Sequence, residues 1–586
     1  MTKKKILTHL LYKELFQTFE RNGVVLPSSS LRTSEDIEEQ IEYLLQRMNP
    51  VELIQFSSFL NMICQSYGME MNIIRGITLL HEIQLVAPGI DLSNRIVFHR
   101  ENLLKLIGQI LCKDMNGTEK LTGRGHLKNQ QKHAQAILLN NDLLNDEIRN
   151  STMSGHEIIL KDHFIREWPL SYISHISKTI YGHRIVRYRY CYKDILPLLK
   201  DTDRRMMQVA IRVFEETTGI SLGQYMDVIS GLFCWFLEWP LKREKKPSAS
   251  TDPKFGFDFM NIGSFYINSK SFEKDSSFIK TIDILSKDIV ALKTAYRREQ
   301  ERERDGISGY NKHVRIFFDN PIFKISDGYY CIIDLKFLLE NVCGGLLWRL
   351  RTQENLQNFK SAYGRLMEEY FKFLIQNIFK SAKVSLGENT GADAIVEEGD
   401  KVFVFEFTTE YYRMSSLYNN SSQGFLDDAY RLLFNTGVTD PRGRKKDDKG
   451  KLLKLNEYVG QAKQHGKKVI PILVTENLFG NPDFFNMFSN FYNNEVSEKG
   501  LYNLQQSLPI FLCLDDLEIF WGLYGPNDAV EGFLCFAEEW TTIDKGPCFH
   551  NASVAICELV EKQRGGDTSI INRDFAQFFS PRQIYG

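Results

Sequence analysis

The segment Gly391 to Glu410, GADAIVEEGDKVFVFEFTTE, holds the residues best placed to do chemistry. In its second half, side chains of an extended strand alternate between faces. Val402, Val404, Glu406 and Thr408 share one face, and Phe403, Phe405 and Phe407 the other. Glu406 therefore falls in a strand that is apolar on both sides, where an ionised carboxylate is costly without a partner. Asp393 lies on the neighbouring strand of a hairpin whose turn is Glu398-Gly399-Asp400. Two carboxylates at one strand end, inside an apolar sheet, fit a hard divalent cation. They fit equally a strand-edge Asp beside a Glu paired to a basic side chain. Residue types alone leave both readings open.

The elements that must position these residues can be read from periodicity. Phe359 to Phe379 predicts a long amphipathic helix, followed by strands at 382–386, 392–397 and 401–408. Helices are expected at 422–435 and 451–465, then buried strands at 468–475 and 508–514. Further upstream, 314–318 and 329–333 read as short strands around the turn Ser326-Asp327-Gly328, with a helix through 335–350. Residues 1–245 read as helical: 35–47, 51–64, 101–112, 130–149 and 203–215 all place apolar residues at three-to-four spacing.

This order is helix with an acidic residue, strand, strand with Asp, hairpin, strand with Glu, helix, strand. It resembles the PD-(D/E)XK nuclease superfamily, the restriction-endonuclease-like fold. Asp393 matches that family's Asp and Glu406 its Glu. Gly364-Arg-Leu-Met-Glu368-Glu369-Tyr370 resembles the first-helix signature, with Glu368 on the acidic position. The stretch 319–350 also looks like the lead-in seen in large bacterial proteins carrying this domain. The resemblance spans roughly 320–525 and implies Mg²⁺, or Mn²⁺, held by Asp393 and Glu406. The implied activity is phosphodiester hydrolysis of nucleic acid, DNA first, in bacterial restriction or anti-phage defence. One position departs: the family's Lys, two residues after the Glu, is Thr408 here, and a hydroxyl carries no charge. Either a cation arrives from elsewhere, with Arg413 and Lys463 as candidates and Gln461 as a phosphate or water ligand, or the site is degenerate. The alternative function is then a nucleic-acid-binding or assembly subunit of a defence complex, with a protein partner.

Two other segments bear on nucleic acid. Arg442 to Lys454, RGRKKDDKGKLLK, could track a phosphate backbone or be a solvated insertion. Arg184 to Lys193, RIVRYRYCYK, interleaves Arg with Tyr, as backbone contact plus base stacking would need, or as an amphipathic edge would. Gly219-Ile-Ser221-Leu-Gly223 fits the nucleophile-elbow pattern, but a helix precedes it. Gly219 reads as a helix C-cap, and Ser221 with Gln224 as a capping box. The histidines at 126, 133, 156, 163, 175 and 183 lack metal-ligand spacing and read as helix-surface residues. No Walker-type phosphate loop occurs.

Composition bounds the rest. The 586 residues carry 72 basic and 74 acidic side chains, a formal charge of −2, with 43% hydrophobic residues. That excludes a disordered chain and a strongly cationic coat protein, but not an enzyme with one basic channel. Ten scattered cysteines with no C-x-x-C pair read as buried thiols in a reducing compartment. The Lys-rich start is interrupted too early for a signal peptide, and no apolar run suits a membrane span, so a cytoplasmic protein without membrane partners is expected. The expected architecture is multidomain: an all-α region at 1–245, a linker and helical connector at 246–318, an α/β restriction-endonuclease-like core at 319–525 with a mixed sheet flanked by helices, and an extension at 526–586.

Overall fold

The computed structural model describes residues 34–65, most of 100–150, 174–244, 266–304, 312–350, 356–387, 391–409, 422–434, most of 450–476, most of 485–542, and 573–578. Helix predominates among them, with two small mixed sheets flanked by helices. The described residues between 34 and 244 are mainly helical, as their periodicity predicts. Their helices are α1 to α4 (Ser34–Leu45, Pro50–Gln65, Arg100–Cys112, Leu127–Asn150) and α5 to α7 (Ser174–Tyr190, Asp201–Thr218, Leu222–Glu244). Helix α6 ends at Gly219, whose φ of 68° provides the left-handed C-cap. Ser221 and Gln224 then exchange the two bonds of a capping box, at 3.1 and 3.2 Å, to open α7. The nucleophile-elbow pattern is thus punctuation between helices. The start of the linker and connector expected at 246–318 lies outside the described residues as far as 265.

The first sheet has the order β1-β4-β3-β2 and combines β1 (Ile267–Asn268), β2 (Ser286–Lys287), β3 (Ile322–Ser326) and β4 (Tyr329–Ile332). Helices α8 (Ser276–Leu285), α9 (Ile289–Arg304) and α10 (Lys312–Asp319) surround it. Helix α10 corrects the expected strand at 314–318: the β-branched and aromatic run His-Val-Arg-Ile-Phe-Phe winds into a helix that buries Ile316 and Phe317. Arg315 and Asp319 pair across one of its turns at 3.2 Å. A short apolar run does not by itself separate helix from strand. The helix expected through 335–350 is broken into α11 (Leu335–Glu340) and α12 (Leu346–Leu350), with Asn341 turning its amide onto the Phe318 and Phe337 carbonyls between them.

The second sheet carries the segment of interest. Helix α13 (Leu356–Ile378) leads into β5 (Lys383–Leu386), β6 (Ala394–Glu398) and β7 (Lys401–Thr408). Helices α14 (Ser422–Leu433) and α15 (Lys451–Gln464) follow, then β8 (Lys468–Thr475), α16 (Phe485–Glu498), α17 (Tyr502–Gln506) and β9 (Ile510–Cys513). Strand order is β5-β6-β7-β8-β9; the first three are antiparallel neighbours, and β7, β8 and β9 run parallel. Strand β7 is buried on both faces. Phe403, Phe405 and Phe407 face α13, where Phe371 stacks on Phe407 at 5.0 Å. Val402 and Val404 face the opposite way, into a second apolar cluster with Leu452, Leu455 and Val459 of α15. Three further helices follow among the described residues: α18 (Leu514–Leu523), α19 (Ala529–Thr542) and α20 (Arg573–Phe578).

The N-terminal helices share one continuous apolar core with α13 and the Phe face of β7. Arg100 of α3 pairs with fully buried Asp334 at 2.6 Å, fastening the helical region to the first sheet. No helix among the described residues is long and apolar enough to cross a membrane.

Candidate active site

Asp393 and Glu406 meet at one end of the β6–β7 hairpin. The register pairs Glu398 with Lys401 and Ala394 with Phe405, and one further step sets Asp393 across from Glu406. The Phe407 N–H donates to Asp393 Oδ2 at 2.7 Å, and the Gly387 N–H to the Asp393 carbonyl at 3.1 Å. Just upstream, Gly391 has φ 72°, and a Cβ there would collide with the Tyr458 hydroxyl of α15. That close approach presses the Asp393 loop against the helix behind it.

Helix α15 supplies the third member. Its first residue is Lys451, whose Nζ lies 2.8 Å from Asp393 Oδ2 and 2.7 Å from Glu406 Oε2. Gly450 seats this helix start: a side chain there would strike the backbone of Leu433 and Phe434 at the end of α14. A crossover helix between parallel strands runs antiparallel to them. Its N-terminus therefore returns to the strand end where Glu406 sits.

The electrostatics follow from burial and this cation. Glu406 is 0% exposed, and burial raises its carboxyl to about 7; Asp393 adds to the rise and Lys451 opposes it. Burial also works against the Asp393 carboxylate, but Lys451 and the Phe407 N–H more than offset it and hold its pKa below the ordinary value. Lys451 pays a desolvation cost too, yet the two carboxylates raise its pKa, so it stays protonated. Glu406 Oε1 is buried and accepts no hydrogen bond from the described residues. An oxygen of this kind calls for a cation or a water. Among the described residues no three of His, Cys, Asp and Glu gather as a metal cage. Two carboxylates nevertheless suit Mg²⁺, which keeps several waters and takes its remaining contacts from phosphate. The residues present fit the ion.

The other sequence-derived candidates fall at different places. Thr408 is 9% exposed, opposite Thr475 in register, and its carbonyl accepts the Glu476 N–H at 3.1 Å. Glu368 pairs with Lys372 one turn along α13 at 2.8 Å. Gln461 is exposed, and Lys463 donates to Gln506 at 3.3 Å. Both belong to the far end of α15, about 15 and 18 Å of helix rise from Lys451, and the structure does not bring them to the carboxylates. Arg413 and residues 442–449 of the basic segment lie outside the described residues. Lys451 and Lys454 are the described cations of that segment, and the charge of Lys454 also lowers the Glu406 pKa.

The RIVRYRYCYK segment is partly interior, and Lys193 at its end is exposed. Arg187 and Tyr188 of α5 are 0% and 1% exposed. Arg187 donates to Glu518 at 2.6 Å and to Asp515 at 2.5 Å, both on α18, and Arg184 reaches Asp515 at 2.6 Å. Arg184, Arg187 and Tyr188 thus serve pairing inside the fold, while Arg189, Tyr190 and Tyr192 are half-buried. The two histidines whose side chains are described are also buried, His133 and His183, rather than on the surface; desolvation lowers each pKa to about 3. Of the described cysteines, Cys191, Cys331, Cys343 and Cys513 are buried free thiols, whereas Cys112 and Cys535 are only half-buried.

No protein-family model, no curated protein and no solved structure matches this chain.

Proposed function

We propose that this chain is a metal-dependent phosphodiesterase of the PD-(D/E)XK kind, acting on nucleic acid and on DNA first, with a role in bacterial restriction or defence. The observation that carries the reading is Lys451. Its ammonium touches both carboxylates and supplies, from the crossover helix, the cation that Thr408 lacks. Helix, three antiparallel strands, crossover helix and parallel strand, with Asp393 and Glu406 on adjacent strands, further support it.

Asp393 and Glu406 would hold Mg²⁺, which when bound supplies positive charge for a phosphate oxygen and acidifies a water. Asp393 stays ionised because Lys451 and the Phe407 N–H both favour its charged form. Glu406, whose carboxyl lies at about 7 in the metal-free chain, would be held ionised by the bound ion. Lys451 has three N–H donors and uses two on the carboxylates. Its third can orient the attacking water or a non-bridging phosphate oxygen and offset the charge developing on phosphorus. The N-terminus of α15, the positive end of its helix dipole, favours the same anion.

A second reading is supported by the same contact. A lysine closed on two carboxylates is also a self-contained ion cluster, as a binding or assembly subunit with a retired site would carry. Metal binding separates the two. Mg²⁺ or Mn²⁺ raises the melting temperature of wild type if the carboxylates are ligands, and Asp393→Ala abolishes the rise. Equal shifts in both proteins, or none in wild type, would remove the metal-site reading.

A further inference from the structure

We propose that helix α5 of the N-terminal region positions the catalytic end of β7, through Tyr188 and Glu476. The purpose given to that strand end rests on the nuclease reading; the coupling itself does not.

Glu476 follows the last residue of β8 and is 1% exposed. Its N–H donates to the Thr408 carbonyl at 3.1 Å, extending the β7–β8 ladder past its last pair, Thr408 with Thr475. Two positions before Thr408 stands Glu406. The Glu476 carboxylate is in turn gripped from two elements: the hydroxyls of Tyr188 on α5 and Tyr363 on α13 both donate to Oε1. Next to Tyr363, Gly364 brings α13 so close to the strand end that a Cβ there would lie 3.3 Å from Thr409 Oγ1. The end of β7 is thus held on one side by α13 and on the other by a residue whose side chain is tied to the N-terminal region.

Helix α5 cannot shift without disturbing this tie. Arg184 and Arg187, one turn and one residue before Tyr188, are clamped to Asp515 and Glu518, and Tyr370 of α13 also donates to Glu518 at 2.8 Å. A buried carboxylate that loses its donors is costly. Displacement of α5 therefore leaves Tyr363 as the one hydroxyl on the Glu476 carboxylate among these two, and the cheapest relief is to move Glu476 and release the Thr408 carbonyl. Local openings of this kind are what amide exchange reads.

The test compares amide hydrogen exchange in full-length wild type, Tyr188→Phe, Tyr363→Phe and the double variant, with Tyr190→Phe as control. Phenylalanine keeps the ring packing and removes the hydroxyl. Exchange should accelerate about tenfold in the double variant within 405–409 and 472–476, with a smaller rise for Tyr188→Phe. Residues 401–403 and Tyr190→Phe should match wild type. If the double variant does not fold, Tyr188→Phe alone carries the comparison. Rescue provides a second readout: Glu476→Gln keeps an acceptor oxygen and should exchange like wild type, whereas Glu476→Leu should not. Unchanged exchange at 405–409, or acceleration spread evenly over all of β7, would overturn the coupling. Neither result depends on whether the protein binds metal or cleaves nucleic acid, so failure of the nuclease reading would be seen separately.

Discussion

Lys451 and Glu406, 45 positions apart in the chain, meet at 2.7 Å, and the lysine comes from a helix N-terminus rather than from the strand. That contact turns two carboxylates in an apolar sheet into a charged site with a defined acid–base balance. It also determines what each substitution should do.

Removing the lysine should separate stability from catalysis. Lys451→Met leaves Asp393 and Glu406 buried without their cation, so the metal-free protein should lose about 3 kcal/mol. Added Mg²⁺ should restore much of that loss, because the ion replaces the missing charge. Cleavage should stay depressed by about 10² to 10³, the usual cost of one preorganised charge donor. Urea unfolding with and without Mg²⁺, beside cleavage rates, checks all three. Full activity in a folded Lys451→Met protein would remove the lysine from the mechanism.

Glu406 predicts a pH dependence. Its carboxyl moves from an ordinary 4.5 to about 7 on folding, so the folded chain holds this proton more tightly than the unfolded one. The stabilisation is fully present below about 4.5 and is lost as pH rises through about 7. Glu406→Gln mimics the protonated form at every pH. In EDTA its stability should match wild type near pH 4.5 and exceed it by on the order of 3 kcal/mol at pH 8. A constant difference across this range would mean that Glu406 does not titrate there.

Thr408 offers a swap. Its side chain is on the Glu406 face of β7, so a lysine there would compete with Lys451 for one pocket. Thr408→Lys alone should be neutral or harmful. Combined with Lys451→Met it should recover activity that Lys451→Met loses, because the cation returns from the family's usual position. If Thr408→Lys alone raises cleavage, Lys451 is not filling that role.

Lys463 is the contrasting case. Lying at the other end of α15 and bonded to Gln506, it should tolerate alanine with cleavage and metal affinity within twofold of wild type. A loss comparable to that of Lys451→Met would place a catalytic cation at the wrong end of the helix.

Much of this site can be read from sequence, for physical reasons. A two-residue turn at Gly399-Asp400 fixes the hairpin register, and that register alone sets Asp393 opposite Glu406. The alternation in 401–408 correctly separates the Phe face from the Glu face. Lys451 is harder to find because it sits within a basic run whose charges look interchangeable. The available signal is topological: a helix joining parallel strands begins at the strand end where the preceding strand finishes. Only its first turn can therefore reach Glu406, which favours Lys451 and excludes Lys463. The buried Arg187 and Tyr188 give no such signal, since their partners Asp515, Glu518 and Glu476 lie about 290 to 330 positions away. In the first sheet, β4 is legible as the expected strand at 329–333, but β1 and β2 are two residues each and carry almost no pattern.

Cleavage is the most direct measurement of the central claim. Plasmid, single-stranded DNA and RNA would each be incubated with wild type, Asp393→Asn and Lys451→Met, in Mg²⁺ or Mn²⁺ and in EDTA. The site predicts metal-dependent cleavage of at least one substrate by wild type, DNA first, abolished by EDTA and reduced at least about a hundredfold in both folded variants. Cleavage that survives both substitutions, or a folded wild type that cuts none of the three with either metal, would contradict it.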